Sequence, residues 1–380
     1  MRARPAVALL VETSNAYARG LLEGVMAYVR EHRPWSIYLP EQGRGAAPPE
    51  WLARWKGDGL IARVETKEIA RAVARKRKPA VDVSAARFLR TVPWVETDDA
   101  AIAKAAVGHL LERGFRRLAF CGDARFNWSK NRRAAFESLA READVEVHVH
   151  DAAEAQEHGA LVAWARRLPK PAGVFAAYDI KGRQLLDACR DAGVAVPEEI
   201  AVVGVDNDEL LCGLATPPLS SVIPNTRRTG YEAARLLDRM LQGEEVPPEG
   251  HFIPPLGVHA RQSTDILAVE DREIAAAMRF IREQACDGIT VEDVLRAVPL
   301  SRRVLERRFR AVVGRTPHEE ILRLRLERVK QLLAESDLSL ERISTLAGFA
   351  HPEYMSVAFK REIGVTPGCH RAQIRPRARR

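Results

Sequence analysis

The first 260 residues alternate short apolar runs with segments of helical periodicity. The apolar runs, rich in β-branched residues, lie at 7–11, 37–39, 59–64, 80–83, 118–121, 145–149, 174–177 and 200–205. The segments with helical spacing lie at 17–30, 100–113, 131–141, 182–192 and 229–241. Continuously apolar strands separated by helices are typical of parallel sheets covered on both faces. Their number favours two doubly wound lobes with a cleft between them, which is a usual place for a ligand.

The pattern changes at a short polar junction, residues 263–265, which follows a turn-rich stretch. Beyond it, the apolar spacing is helical. We therefore expect a two-lobed α/β domain at 1–262, a linker at 263–271 and an all-α domain at 272–380. Within the all-α region a phrase recurs after 50 residues, which indicates an internal duplication. Its first copy contains Leu305, Phe309, Gly314, Thr316 and Pro317, and its second contains Met355, Phe359, Gly364, Thr366 and Pro367.

Each copy predicts a helix-turn-helix unit. In the first, a short helix at 291–297 and a tight turn precede a helix that Ser301 is placed to cap. In the second, a short helix that ends at Ala347 and a turn at 348–349 precede the other long helix. The apolar stripe of each long helix is expected to face the core, so its polar positions face outward. These outward positions are Arg302, Arg303, Glu306, Arg307 and Arg310 in the first unit, and Glu353, Ser356, Val357 and Lys360 in the second.

Basic residues are concentrated at one end of the chain. The formal net charge is +8, and residues 301–380 hold 18 Lys and Arg against 9 Asp and Glu. Such a segment is typical of a module that binds nucleic-acid phosphates, although a solvated charged face has the same composition. A single helix predicted at 319–335 would be roughly 26 Å long. That length is compatible with two units set about one DNA turn, or ~34 Å, apart.

Other features narrow the class of protein. The apolar stretch near the N-terminus stops at Glu12, too early for a signal peptide or a membrane span, so we expect a cytoplasmic protein without membrane association. The five cysteines are scattered without a CxxC pair, which predicts reduced thiols and no metal site. The sequence has no P-loop, no GxSxG elbow and no metal-spaced His/Cys set, so we expect neither an enzyme nor a bound cofactor.

The helical region carries one long, specific set of residues. The set comprises the run from Arg325 to Leu333, then Ile343, Ala347-Gly348-Phe349, Phe359 to Gly364, Thr366-Pro367 and Arg371. Over roughly residues 272–375 it resembles the AraC/XylS family of transcriptional regulators. Two positions depart from the family pattern: Pro299 stands where the first turn usually has glycine, and Met355 where the second copy usually has phenylalanine.

The AraC/XylS resemblance implies which outward positions contact bases. They are Arg303, Glu306 and Arg307 in the first unit, and Glu353, Ser356 and Val357 in the second. Arginine can donate two hydrogen bonds to guanine, and glutamate can accept one from cytosine. The alternative for Arg303 and Arg307 is that they pair with Glu306 on their own helix.

Several phrases in the first 260 residues follow a recognisable order. They are Ala16-Tyr17-x-Arg19, Glu23-Gly24-Val25, Gly57-Asp58-Gly59, Val203-Gly204-Val205-Asp206-Asn207 and Leu219-Ser220-Ser221-Val222. Together they resemble the periplasmic-binding-protein-like effector domains of LacI-type regulators, most closely those of xylose-operon regulators, in which such a domain precedes an AraC module. The resemblance implies a sugar effector and a dimer. Because no helix-turn-helix precedes the first strand, we expect the AraC module to supply DNA binding.

A sugar presents adjacent hydroxyl groups, which suit carboxylates, arginine forks and the face of an aromatic ring. The candidate ligand residues are Tyr17, Asp82, Trp128, Arg132, Asp179, Asp206 and Asn207. By the resemblance, Arg132 clamps the sugar. The alternatives are that an aspartate after a strand is only a helix N-cap, and that Trp128 is a core residue. Arg63 stands where xylose-operon regulators more often have an acid, which argues against xylose itself.

We therefore expect a sequence-specific, DNA-binding transcriptional activator that responds to a small sugar such as xylose or another pentose. Its expected partners are a double-stranded DNA operator, the sugar, a second copy of the chain in a homodimer, and RNA polymerase. An exported sugar-binding protein would need a signal peptide and no helix-turn-helix pair. A response regulator would need an acidic pair after the first strand, where this chain has Glu12-Thr13-Ser14-Asn15. A sugar-acting enzyme would need a catalytic motif.

Overall fold

The computed structural model describes residues 4–41, 43, 47–151, 157–265, 271–336 and 338–374. The chain divides into two compact units, Met1–Asp265 and Ile266–Arg380. The first unit contains two six-stranded sheets with helices packed against them, and the second is helical. This arrangement confirms the predicted fold class, a two-lobed α/β domain followed by an all-α domain.

The first lobe is built on a parallel sheet. Its strands are β1 (Ala6–Leu10), β2 (Ser36–Tyr38), β3 (Gly59–Ala62), β4 (Ala80–Asp82), β5 (Trp94–Thr97) and β11 (Gly250–Ile253), in the order β11-β5-β4-β3-β1-β2. Its helices are α1 (Ala16–Glu31), α2 (Glu50–Arg54), α3 (Lys67–Ala74) and α9 (Thr226–Leu241). The core of α1 and α9 lies on one face of the sheet, and that of α2 and α3 on the other. Burial on both faces explains why the central strands are continuously apolar.

The second lobe repeats this architecture. Its strands are β6 (Arg117–Cys121), β7 (Glu146–His150), β8 (Ala172–Ala176), β9 (Ile200–Val205), β10 (Ser220–Ile223) and β12 (Gly257–His259), in the order β12-β10-β9-β8-β6-β7. Its helices are α4 (Asp99–Glu112), α5 (Asn127–Glu142), α6 (Glu157–Arg167), α7 (Asp179–Ala192) and α8 (Glu209–Leu214). Only β12, among the described strands, pairs antiparallel. The apolar pattern did not predict β5, β10, β11 or β12, because these strands are three or four residues long and partly polar.

The chain passes between the lobes three times. It leaves the first sheet after β5 to enter α4, returns after β10 to enter α9, and leaves again between β11 and β12. These passages lie at carboxyl ends of parallel strands. The ends of both sheets therefore face a common cleft, as the sequence predicted.

The end of the first unit corrects part of the expected linker. Gln262–Thr264 forms a short 3-10 helix, and Ser263 and Thr264 are fully buried. Ser263 and Thr264 bond to Ser220 and so belong to the second lobe rather than to a polar junction. Serine and threonine in a polar stretch predict a turn, but here the hydroxyl groups of Ser263 and Thr264 form hydrogen bonds with residues that are distant along the chain. Residues 266–270 of the expected linker lie outside the described residues.

The second unit consists of short helices around one longer helix. They are α10 (Arg272–Gln284), α11 (Val291–Ala297), α12 (Arg302–Val313), α13 (Pro317–Glu335), α14 (Leu340–Leu346), α15 (Pro352–Ile363) and α16 (Pro367–Ile374). In the first copy of the repeat, Gly314 ends α12 with a φ of 79° and Thr316 caps α13 in a capping box. In the second, Gly364 ends α15 with a φ of 84° and the Thr366 hydroxyl accepts from the Cys369 amide. The repeated phrase thus marks where one helix ends and the next begins.

Candidate effector cleft and DNA-recognition helices

A cavity lies between the two lobes of the first unit. Its lining residues are Tyr17, Arg63, Val83, Ala85, Glu96 and Thr97 from the first lobe, and Trp128, Arg132 and Asp206 from the second. Four of the seven predicted ligand residues therefore meet here: Tyr17, Trp128, Arg132 and Asp206. The other three, Asp82, Asp179 and Asn207, are not among the lining residues.

Arg132 is a fixed cation at the cavity. It lies on the second turn of α5 and is 3 % exposed. Its Nε donates to Asp99 Oδ1 at 2.8 Å, and its Nη1 donates to the Ala177 carbonyl oxygen at 2.6 Å. Burial lowers the pKa of the Arg132 guanidinium, but Asp99 and Asp206 raise it above its ordinary value. Trp128, one turn earlier on α5, lies 5.1 Å from this guanidinium and presents an aromatic surface beside it.

Asp206 and Asn207 follow β9 in left-handed backbone conformations, with φ angles of 109° and 47°. Asp206 lines the cavity. The Asn207 side chain instead bonds within the second lobe, because its Oδ1 accepts from Arg261 Nη2 at 2.8 Å. Asn207 as a ligand residue stays a prediction: its amide oxygen serves an internal partner, and Asn207 is not among the residues that line the cavity.

Asp179 supports the loop that carries Asp206. Its Oδ1 accepts from the Ser221 hydroxyl at 2.6 Å, and its Oδ2 accepts from the Asp208 amide at 2.8 Å. Burial, with a smaller contribution from Asp206, raises the pKa of Asp179 to about 8. A sugar ligand at Asp179 stays a prediction: both of its oxygens bond to neighbouring protein groups, and Asp179 is not among the residues that line the cavity.

Asp82 is also placed differently from the prediction. Its Oδ1 accepts from the Val64 amide at 3.3 Å and the Ser84 amide at 2.9 Å. Burial raises the pKa of Asp82 to about 7. Although it ends β4 as expected, it ties together the loops that follow β3 and β4 and does not line the cavity.

Arg63 lies at the cavity between two carboxylates. Its Nη1 donates to Glu12 at 2.9 and 3.1 Å, and its Nη2 donates to Glu65 at 2.8 Å. Arg63 is 8 % exposed, and its Nε has no hydrogen-bond partner in the described part of the chain. Its guanidinium carbon lies 5.0 Å from the centre of the Tyr17 ring. Arg63 follows β3 directly and Glu12 lies two residues after the end of β1, so a charged residue close after a buried strand was the signal for both.

Glu96 is a cavity residue that the sequence analysis missed. It is 4 % exposed and pairs with Arg87, whose guanidinium carbon lies 3.2 Å from the Trp94 ring centre. Burial and the neighbouring Asp99 raise the pKa of Glu96 to about 8. The hydroxyl of the next residue, Thr97, lies 3.1 Å from the Tyr17 hydroxyl. Both were overlooked because β5 was not predicted.

The first recognition helix, α12, presents basic side chains to solvent. Arg303, Arg307 and Arg310 are exposed, and none has an ion-pair partner among the residues that the structure describes. Arg302 instead pairs with Glu306 at 3.0 Å and with Glu292 at 2.7 Å. The alternative that Glu306 neutralises Arg303 and Arg307 is therefore not what the geometry shows.

The second recognition helix, α15, has the same frame and a different surface. Met355 and Phe359 are fully buried, so methionine fills the core position where the resemblance has phenylalanine. Glu353, Val357 and Lys360 are exposed, and Ser356 is partly buried. Val357 is 67 % exposed.

Comparison with known proteins covers nearly the whole chain. Three family models match: an XylR N-terminal domain at 6–100, a periplasmic binding protein-like domain at 107–264 and a helix-turn-helix domain at 294–373. The xylose operon regulatory protein of Escherichia coli (strain K12) is 35 % identical over 378 residues, which is 96 % of each chain. The chain belongs to the xylose operon regulatory protein family.

Further matches support this assignment. The xylose operon regulatory protein of Haemophilus influenzae is 32 % identical over 95 % of this chain and 96 % of that protein. A solved structure described as the xylose-binding transcription activator XylR superimposes with a TM-score of 0.85 at 34 % identity, and covers 98 % of this chain and 99 % of that one. Membership of the XylR family confirms the predicted function class: a sugar-responsive transcriptional regulator rather than an enzyme.

Some of the most specific residues of the helical unit make contacts that hold its fold together. Arg325 Nε donates to the Ala285 carbonyl at 2.7 Å, and Arg371 Nη2 donates to the Leu338 carbonyl at 2.6 Å. A Cβ at Gly348, where φ is 75°, would lie 2.6 Å from the Cys286 carbonyl oxygen. Arg325 and Gly348 thus pack closely against the segment between α10 and α11, and Arg371 ties α16 to the segment between α13 and α14.

Two further properties of the described residues concern metal binding and membrane-spanning helices. No cluster of three or more His, Cys, Asp or Glu in that part of the chain could hold a metal ion. None of its helices has the length and apolar character that crossing a membrane requires.

Proposed function

We propose that the chain binds D-xylose, or a pentose with the same pattern of hydroxyl groups, between its lobes, and that the sugar-bound form activates transcription. The lining of the cavity carries this proposal, because two aromatic rings and fixed polar groups from both lobes converge there. The relatives that match 95–96 % of this chain are named as xylose operon regulators. The matching solved structure is described as a xylose-binding activator.

The proposed contacts divide by chemistry. Arg132, Asp206 and Glu96 supply donors and acceptors for adjacent hydroxyl groups. Tyr17 and Trp128 supply ring faces for the C–H surface of the sugar. Because Arg132 is already held by Asp99 and Ala177, little side-chain entropy is lost when the sugar binds.

The charge around the cavity favours a neutral sugar over a sugar acid or a sugar phosphate. Arg63 pairs with Glu12 and Glu65, and Arg132 pairs with Asp99. Glu96 is likewise paired, with Arg87, and Asp206 adds a further carboxylate, so an anionic ligand would meet excess negative charge. Since its partners offset its charge, Arg63 no longer argues against xylose, and its Nε–H remains a donor for a hydroxyl group.

We propose that α12 and α15 bind operator DNA as part of a cytoplasmic homodimer that acts with RNA polymerase. The proposed contacts are Arg302, Arg303, Glu306, Arg307 and Arg310 on α12, and Glu353, Ser356, Val357 and Lys360 on α15. The unpaired arginines of α12 suit guanine and phosphate, and the exposed Val357 suits a thymine methyl group.

Calorimetry on the full-length protein tests the effector. We expect saturable heat with D-xylose, weaker or no heat with D-ribose and L-arabinose, and none with D-xylonate. Asp206→Ala should abolish the heat while sugar-free affinity for an operator selected in vitro is unchanged. Asp187→Ala, which removes a half-buried acid of the same lobe that does not line the cavity, is the matched control. Tighter binding of another sugar would overturn the choice of xylose, and normal heat from Asp206→Ala would overturn the cleft assignment.

A further inference from the structure

The last segment of the effector unit is held by hydrogen bonds on several sides. Ser263 donates to the Val202 carbonyl at 2.6 Å and accepts from the Ser220 amide at 2.8 Å. The Thr264 hydroxyl lies 2.7 Å from both the Ser220 hydroxyl and His109 Nε2. The exit segment, residues 261–264, is therefore part of the second lobe and directly precedes the chain that leads to the DNA-binding unit.

Arg261 connects this exit segment to the cavity loop. Its Nη2 donates to Asn207 Oδ1 at 2.8 Å, and its Nη1 donates to the Leu219 carbonyl at 2.9 Å. Its own amide donates to Ser220 Oγ at 2.7 Å. One side chain thus bridges the residue next to Asp206, the start of β10 and the exit segment.

The loop that Arg261 holds has a constrained backbone. Asp206 and Asn207 both have positive φ angles, which cost free energy for residues other than glycine and persist only where the surroundings impose them. On the other side of the loop, the Asn207 amide donates to Ser221 Oγ at 3.0 Å, and Ser221 in turn donates to Asp179. Hydrogen bonds with Ser221 and Arg261 therefore hold the loop from two sides. A ligand that binds Asp206 would affect both hydrogen bonds.

We propose that Arg261 is a positioning residue that transmits sugar occupancy at Asp206, through Asn207, to the exit segment and so to the DNA-binding unit. The inference rests on the proposed function, since it takes the cleft as the sugar site. A ligand that moves the 206–207 loop, or restricts its motion, changes the hydrogen bond between Arg261 and Asn207. Because Arg261 belongs to the exit segment itself, the change reaches the start of the connecting chain without passing through the lobe core.

Arg261→Gln in the full-length protein tests this route. We expect sugar affinity within about threefold of wild type, because Arg261 does not line the cavity. We expect the sugar-dependent change in operator affinity to fall below about twofold. Arg190→Gln, an exposed surface arginine that pairs with Asp187, is the matched control and should retain the full change. Asn207→Ala breaks the same contact from the other side and should add little to Arg261→Gln in the double variant.

A second measurement does not depend on the sugar. In Asn207→Ala without ligand, amide hydrogen exchange at residues 263 and 264 should be faster than in wild type, since one support of Arg261 is lost. Unchanged exchange there, or an undiminished operator response in Arg261→Gln, would overturn the proposal. If wild type gives no heat with D-xylose, the proposed effector fails, and the exchange result still decides the route.

Discussion

The effector cleft and the first recognition helix use arginine in opposite ways. In the cleft, Arg63 and Arg132 are 8 % and 3 % exposed, and carboxylates hold each of them. On α12, Arg303 and Arg307 are exposed, with no ion pair among the described residues. A neutral sugar brings no charge, so buried arginines must be neutralised by the protein itself. DNA brings its own phosphates, so the arginines that meet it are best left unpaired.

The comparison also orders the expected effects of substitution. Removing a buried arginine leaves a buried carboxylate without its partner, which is costly in both stability and binding. Removing an exposed arginine costs only the contact that it makes with DNA. Arg302 lies between these cases, because it is exposed but already paired with Glu292 and Glu306.

The largest effect is expected for Arg132→Met. The substitution leaves Asp99 buried without its cation, so the free energy of unfolding should fall by about 3–5 kcal/mol and sugar binding should be lost. Urea unfolding and calorimetry measure the two effects. Arg133→Met, the next residue on α5, is the control: its side chain is 39 % exposed, and its loss should cost less than about 1 kcal/mol. Equal losses in the two variants would contradict the contrast between buried and exposed arginines.

A smaller effect is expected for Arg303→Ala. Operator binding should weaken by about 1–3 kcal/mol, and discrimination at one base position should relax, since an unpaired arginine is replaced. Gel-shift titration against operators varied at single positions measures this change. Arg302→Ala should cost less because Glu306 and Glu292 already hold Arg302. The assignment is wrong if Arg303→Ala binds every operator variant as wild type does.

A buried ionisable group of the effector unit should make stability depend on pH. Burial lowers the pKa of His109 from 6.5 to about 4. Its stabilising contribution is complete above the unfolded pKa and is lost as the pH falls toward the folded pKa. Between pH 7 and pH 5.5 the loss should be about 1 kcal/mol, and His109→Gln should remove this part of the pH dependence. Chemical unfolding at both pH values measures the free energy of unfolding. An equal change between the two pH values in variant and wild type would show that His109 is not the group responsible.

The smallest effect is expected for Lys360→Ala on α15. A phosphate contact carries no sequence information, so binding to all operator variants should weaken alike, by less than about 1 kcal/mol, and the salt dependence should decrease by about one counterion. Affinity measured across a salt series tests this. Lys330→Ala on α13, which removes a lysine paired with Glu327, is the control and should leave the salt slope unchanged.

Much of the frame could be predicted from the sequence because it depends on local interactions. The helix at 291–297 was predicted with the bounds that the structure has, and Ser301 lies at the predicted N-cap position of α12, although its side chain makes no capping hydrogen bond. Capping and helical spacing act over a few residues, so they are visible in the sequence itself. The cleft between two doubly wound lobes followed equally from the order of apolar strands.

Which polar side chains face the cavity was decided by the tertiary structure. Asp82, Asp179 and Asp206 all end buried strands or follow them, yet only Asp206 lines the cavity, because backbone amides and Ser221 engage the other two. Glu96 lines the cavity from β5, a strand that is defined only by its pairing with β4 and β11.

The exit segment shows the same limit. Thr264 is buried because of Ser220, 44 residues earlier, and His109, 155 residues earlier. Local sequence patterns were enough to predict most of the longer strands and helices and the order of the domains, but not β5, β10, β11 or β12. The tertiary structure alone decided which buried polar groups bond to each other and which remain for a ligand, since that depends on partners that are distant along the chain.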